Sequence, residues 1–308
     1  MTGLAAVVLA HRDAPQVRRL ITALGDVPVS LHCDIKAPTE VATAMAAGWD
    51  SRVELLHRSS GSLNSWSLVR IELDALRSAL RHSAAEHIVV LSGADYPLLG
   101  VDALRAALRP WAGRSFLLNR PVPFEHWSVD RHPDGGQWRT AHRFLTRGDD
   151  LLTIRGVPVR FPWKRPLPEH LSVRASSQWK IYGRDDATRL LATLDERPDL
   201  VRFWRSTLVP DESCVASILS SPELTGGPDL PECHGSPWYI KWGQRGAHHP
   251  EWLVDDDFES LVEALAAPEG DPVSLTRPQP HRIRPFFARK FASDRSAGLL
   301  DRIDAELH

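Results

Sequence analysis

Gly3-Leu4-Ala5-Ala6-Val7-Val8-Leu9-Ala10-His11-Arg12-Asp13-Ala14-Pro15 runs from small and apolar residues through a polar triplet to a proline. A short apolar run with adjacent valines reads as a buried strand. Asp13 before Ala14-Pro15, with Val17, Leu20, Ile21 and Leu24 at helical spacing beyond, reads as a cap and a helix. The same alternation then recurs. A strand is expected at residues 29 to 33, a helix near 38 to 47 and a short strand at 52 to 56. Leu68, Ile71, Leu73, Leu76 and Leu80 define a long helix opened by Asn64-Ser65, and His87-Ile88-Val89-Val90-Leu91-Ser92 is the strongest buried strand. Such alternation predicts an α/β fold, a mostly parallel Rossmann-like sheet with helices on both faces.

In sheets of this kind ligands bind beyond the carboxyl ends of the strands. Those ends are His11-Arg12, Asp34-Ile35-Lys36, Ser59-Ser60-Gly61-Ser62 and Ser92-Gly93-Ala94-Asp95-Tyr96-Pro97. No G-x-G-x-x-G follows the first strand and no G-x-x-x-x-G-K-[ST] occurs, which argues against a dinucleotide oxidoreductase and a P-loop enzyme. Asp34-Ile35-Lys36 sets a lysine where an Asp-x-Asp metal motif needs its second carboxylate. Asp255-Asp256-Asp257 precedes Phe258-Glu259 at a helix start and reads as capping, and His248-His249-Pro250-Glu251 has no second cluster at ligand spacing. No metal and no other cofactor is expected.

The 308 residues hold 37 lysines and arginines against 39 acids, so no net basic field exists to hold nucleic acid or an anionic membrane, although a local patch for one anionic ligand remains open. Cys33, Cys214 and Cys233 give neither a disulfide framework nor metal spacing and read as core thiols in a reducing compartment. The N-terminal apolar run is too short to cross a bilayer and lacks a basic region before it; with no other long apolar run, a cytoplasmic protein is expected. Richness in alanine, arginine, leucine and proline points to a bacterial, GC-rich source. Residues 1–308 read as one catalytic domain. Within it lie an N-terminal half at 1–120, a proline- and tryptophan-rich insert or lid at 121–171 and a C-terminal half at 172–308; the resemblance given below implies nucleotide binding for the first, and acceptor binding, catalysis and a terminal phosphate-binding segment for the last. Most of the eleven tryptophans read as core or core edge, with Trp66 open between helix packing and ligand contact. Trp127, Trp138 and Trp242 offer flat apolar faces that suit a sugar ring, and the resemblance given below makes them candidates for the acceptor side.

In Val209-Pro210-Asp211-Glu212-Ser213-Cys214-Val215, a proline and two acids meet an apolar, helix-compatible run. A carboxylate in the first turn of a helix faces free N–H groups and the positive dipole end, which favours the ionised form that accepts a proton. Glu212 is the candidate general base, and Asp211 is expected to cap the helix and orient its neighbour. Arg289-Lys290, between Phe287 and Phe291, can face the charge that builds on a departing diphosphate.

Seven ordered pieces together resemble the core-2/I-branching N-acetylglucosaminyltransferase family, glycosyltransferase family 14, whose relatives include peptide O-xylosyltransferases. They are His32-x-Asp34-x-Lys36, Ser65-Trp66-Ser67-x-Val69, Ser92-Gly93-x-Asp95-Tyr96-Pro97-Leu98, Ser176-Ser177-Gln178-Trp179, Pro210-Asp211-Glu212, Tyr239-x-Lys241-Trp242 and Phe287-Ala288-Arg289-Lys290-Phe291. The resemblance implies a GT-A type fold, a UDP-sugar donor, inversion at the anomeric carbon and no divalent metal. It puts the base on Glu212 and a phosphate-binding lysine on Lys290, with Arg282, Arg284 and Arg289 competing for the second basic role. It further implies His11, Asp34 and Lys36 around the nucleotide, and Asp95, Ser176, Ser177, Gln178, Trp179, Asp211 and Trp242 around the donor and acceptor sugars. UDP-N-acetylglucosamine is the expected donor. The alternatives are UDP-xylose or another nucleotide sugar, and a non-catalytic sugar-binding relative. Eukaryotic members carry a membrane anchor and disulfides; their lack here points away from glycoproteins and toward a carbohydrate, natural-product or lipid-linked acceptor.

Overall fold

The computed structural model describes residues 3–129, 132–243, 249–266 and 284–308. Its centre is a five-stranded sheet. Strands β1 (Leu4–Ala10), β2 (Val29–Cys33), β3 (Val53–Leu55) and β4 (His87–Ser92) run parallel in the order β4-β1-β2-β3. The helices between them are α1 (Ala14–Ala23), α2 (Thr39–Ala46) and α3 (Trp66–His82), as the alternation predicts. Beyond β4 come a short strand β5 (Asp95–Pro97) and a helix α4 (Val101–Leu108).

Strand β1 is buried along its whole length because it is covered on both faces. Successive side chains of a strand point to opposite sides, and here they feed two separate cores. Leu4, Ala6, Val8 and Ala10 pack with Val17, Leu20 and Ile21 of α1, whereas Ala5, Val7 and Leu9 pack with Trp66, Val69 and Leu73 of α3. Trp66 is thus a packing residue. Full burial of one such Leu, Val or Ile side chain is worth about 1.5–3 kcal/mol, so the repeated strand–helix contact is what holds the layers together.

The run Ala175 to Tyr182, which by its sequence reads as one strand, is broken in two. Arg174–Ala175 pairs with Arg120–Pro121, and only β6 (Lys180–Gly183) joins the central sheet, antiparallel to β4 at its edge. After β6 come α5 (Arg184–Glu196) and α6 (Pro198–Arg205), then a 3₁₀ turn, Pro210–Glu212, and the short helix α7 (Cys214–Leu219). A buried ion pair ties β6 to α3: Lys180 Nζ donates to both carboxylate oxygens of Glu72 at 3.1 Å, and Tyr182 adds a hydroxyl. Neither charge touches solvent, so each depends on the other.

A second, three-stranded sheet carries the C-terminal motif to the centre. Strand β7 (Trp238–Ile240) runs parallel to β8 (Phe287–Arg289), and β8 pairs antiparallel with β5, setting Arg289 opposite Asp95. Helix α8 (Phe258–Leu265) and α9 (Ala297–Glu306) close this side, with Leu299, Leu300 and Ile303 in the α1 core. The insert forms short antiparallel ribbons between residues 142 and 164. All three cysteines are free and buried. No helix among the described residues is long and apolar enough to cross a membrane.

Candidate active site

A cavity of ≈ 700 Å³ opens at the carboxyl ends of β1, β2 and β4. Its walls bring together His11, Asp34 and Lys36 from the strand ends, Gln178 and Trp179 from the run before β6, and Arg289 and Lys290 at the end of β8. A second hollow of ≈ 570 Å³, around Asp26, Gly100 and His308, holds none of the motif residues.

Several short links fix the cavity's shape. The Asp34 carboxylate accepts from the backbone N–H of Lys36 (2.7 Å) and of Gly61 (2.8 Å), locking the β2 exit to the next loop. Lys36 Nζ donates to the Gly61 carbonyl at 3.0 Å. Burial and the Arg12 charge hold the His11 imidazole below its usual range. Asp13 caps α1 by accepting from Gln16 N–H and also accepts from the backbone N–H (2.9 Å) and hydroxyl (2.6 Å) of Ser293. That contact pins the C-terminal segment to the first strand's exit.

At this junction three cations surround one indole. The Lys290 ammonium lies 4.4 Å from the Trp252 ring centre, with the Arg12 and Arg295 guanidinium groups at 5.3 and 5.7 Å. Burial, then Arg12, Arg289 and Arg295, push the Lys290 amine below its ordinary value. Like charges raise each other's energy, so this cluster is poised to receive an anion. Arg289 stacks on Trp179 at 3.8 Å, and its Nε and Nη1 find no hydrogen-bond partner among the described residues. Its nearest counter-charge is Asp95 Oδ1, at 3.6 Å.

Asp95 corrects an expectation. With 0% exposure it does not reach the cavity wall and cannot touch a donor sugar directly; it lies behind Arg289 and accepts from Ser92 N–H. Burial outweighs the arginine and raises its carboxyl to about 6. Trp242 is 58% exposed and lines no part of the cavity, nor does Arg284. Arg282 and His248 lie outside the described residues. No group of three or more His, Cys, Asp or Glu able to hold a metal ion occurs among the described residues; Asp257 instead accepts from Lys241 Nζ at 2.6 Å and caps Val254 N–H.

Glu212 is not one of the cavity's wall residues. Its backbone is tied to the family motif beside it: Ser176 N–H donates to Glu212 O at 2.7 Å, and Val209 N–H donates to Asn64 O. The Glu212 side chain keeps 35% exposure, and its Oε2 accepts from Arg139 Nη1 at 2.7 Å. Arg139 stacks at 3.8 Å on Trp127, so the insert holds one carboxylate oxygen and leaves the other unengaged by that pair. Arg139, Arg295 and Trp252 were missed by sequence reasoning, and Arg12 was marked only as part of a strand end. None sits in a motif, and only tertiary proximity marks them as site residues.

Asp211 does not cap. Neither the Pro210–Glu212 turn nor α7 has a side-chain cap, and the Asp211 carboxylate is buried with Oδ1 unpaired among the described residues. Burial and then the Glu212 charge push it up to about 7, against the pull of Lys180. Ser176 is buried with its hydroxyl unpaired, whereas the Ser177 hydroxyl accepts from Trp179 N–H.

The central, mostly parallel sheet and the cation-lined cavity at its carboxyl edge define an α/β protein with a site for an anionic ligand. The chain belongs to the core-2/I-branching enzyme family, whose model, described as "Branch: Core-2/I-Branching enzyme", matches residues 5–261. It is 23% identical over 229 residues to the beta-glucuronosyltransferase GlcAT14B of Arabidopsis thaliana, a match covering 70% of this chain and 43% of the relative. The chain thus spans less than half of that relative's length. Among solved structures it is similar to S. aureus TarS in complex with UDP-GlcNAc, with TM-score 0.29, 11% identity, and coverage of 67% of this chain and 53% of that one. It is also similar to the bifunctional IspDF of Campylobacter jejuni, with TM-score 0.28, 8% identity, and coverage of 63% and 43%. At these scores the superpositions say nothing about chemistry.

Proposed function

We propose that this chain is an inverting, metal-independent glycosyltransferase that moves a sugar, N-acetylglucosamine in the first instance, from a UDP-sugar to an acceptor hydroxyl. The single observation that carries the reading is the cluster of Arg12, Lys290 and Arg295 around Trp252, a concentration of positive charge at the strand ends. Departure of a nucleoside diphosphate builds negative charge on its phosphates, and preorganised cations stabilise that charge as it develops. Arg289, short of partners beside the cavity, is the second basic residue for the same role.

On the acceptor side Glu212 takes the hydroxyl proton as the new C–O bond forms and the bond to the UDP oxygen breaks. A direct in-line displacement inverts the anomeric centre and needs only this one base. Arg139 acts through Glu212, presenting one oxygen to the acceptor by holding the other. Three free, buried thiols fit a reducing, cytoplasmic setting.

The test is a calorimetric binding screen of UDP-N-acetylglucosamine, UDP-glucuronic acid and UDP-xylose, followed by turnover with the best donor. The glucuronic acid donor is included because the Arabidopsis relative is named for it. Glu212→Gln is expected to bind the donor like the parent chain and to lose transfer by about 10²–10⁴-fold, the range for removal of a general base. A variant that stays active would assign the base elsewhere.

A further inference from the structure

The insert carries a surface that the proposed reaction does not use. Between residues 142 and 164 its strands form one continuous ribbon: Leu145 N–H donates to Val159 O, Leu152 N–H to Leu145 O, and Val159 N–H to Leu152 O. At the tip Ile154 pairs with Val157, across a turn made by Arg155 and Gly156. Directly opposed residues share a face, and so do residues two apart, so Leu152, Ile154, Val157 and Val159 lie on one side. Pairing becomes irregular between Arg160 and Lys164, but the Phe161 and Trp163 rings stay together at 5.1 Å. Ile154 is 63%, Val157 67% and Trp163 65% exposed, so these apolar side chains face water rather than the core. Contiguous exposed apolar surface marks a contact site.

Charge decides what the surface contacts. Arg143, Arg147, Arg155, Arg160 and Lys164 of the ribbon are all exposed. The ribbon's two acids are turned inward: Asp149 pairs with Arg70 and Arg205, and Asp150 accepts from the Ser67 hydroxyl. What remains outward is apolar side chains, one of them an indole, flanked by cations on flexible stems. That combination matches a bilayer interface, where an apolar edge enters the acyl boundary, tryptophan sits at headgroup depth and Lys or Arg reach anionic headgroups.

We propose that this ribbon docks the protein on the surface of an anionic lipid bilayer. Because Arg139 at the ribbon's base holds Glu212, docking also brings the acceptor side near the headgroups, where a lipid-linked hydroxyl would be presented; this last step alone rests on the proposed function.

The test measures binding without turnover. The full chain is sedimented with vesicles of phosphatidylglycerol and phosphatidylcholine in equal parts, and with phosphatidylcholine alone. Binding to the anionic vesicles, weakened by added salt, is expected. Ile154→Asp with Val157→Asp should lower partitioning at least about tenfold, and Trp163→Ala should lower it in the same direction, with unchanged circular dichroism because these side chains are exposed. Equal binding of parent and variants, or no preference for anionic vesicles, would overturn the proposal. So would light scattering that shows the parent chain dimeric without lipid and the double variant monomeric, since the face would then cover a second copy.

Discussion

At the residue scale, Lys290 and Asp211 show how surroundings set what a side chain can do. Lys290 sits among other cations beside Trp252, so removing its charge takes away attraction for an anion without breaking an ion pair among the described residues. Lys290→Ala is expected to weaken UDP binding about tenfold or more, as the loss of a charge-assisted contact worth about 1.5–3 kcal/mol implies. An unchanged dissociation constant by calorimetry rejects the phosphate role. Asp211 is the opposite case, a buried carboxyl raised from 3.8 to about 7. The folded state binds its proton more tightly than the unfolded chain does. Its contribution to stability is therefore fully present below pH 3.8 and is lost as the pH climbs through 7. Asp211→Asn should gain melting temperature relative to the parent chain as the pH rises from roughly 5 to 8. Parallel pH profiles for the two proteins would show that Asp211 is not the group responsible.

At the scale of elements, the contact between α3 and β6 fixes the segment that carries Gln178 and Trp179 to the central sheet. Glu72 and Lys180 are both buried, and the desolvation each suffers is offset only while its partner is present. Lys180→Met should destabilise the fold by about 3–5 kcal/mol, because it strands a buried carboxylate, whereas adding Glu72→Gln should recover part of the loss. Denaturant unfolding of the single and double variants measures both, and additive losses would deny the coupling. The elements themselves were largely legible. Valine-rich runs and helical spacing located β1, α1, β2, α3 and β4 because each buries its apolar side chains locally against a neighbour in the chain. The run over residues 175 to 182 was misread as one strand. Ala175 and Lys180 bond to different partners, Arg120 and Val90, and nothing in local composition reports which partner a backbone will find.

At the scale of the whole molecule, the proposed chemistry needs cations where other sugar transferases hold a metal. Released UDP measured with EDTA present should persist with the best donor; complete loss restored only by manganese would overturn the metal-independent reading. The cations come from distant parts of the chain. Arg12 leaves the first strand, Trp252 precedes α8, and Lys290 and Arg295 follow β8. Two contacts join them: Arg289 opposite Asp95 in the second sheet, and Ser293 on Asp13. The insert likewise reaches back through Arg139 to Glu212, across 73 positions of sequence.

What the sequence by itself determined is the alternating α/β pattern and the family motifs, within which Glu212 and Lys290 stand as the candidates for base and phosphate contact. Periodicity and motif spacing are local properties, written wherever a strand buries two faces or a turn needs a proline and an acid. Only the tertiary structure decided that Asp95 stands behind Arg289, that Asp211 is buried rather than capping, and that Trp252 gathers three cations. Those outcomes depend on which distant segments pack together. Burial and the charges of neighbours, not residue type, then settle whether an aspartate at a strand end faces a ligand or the core.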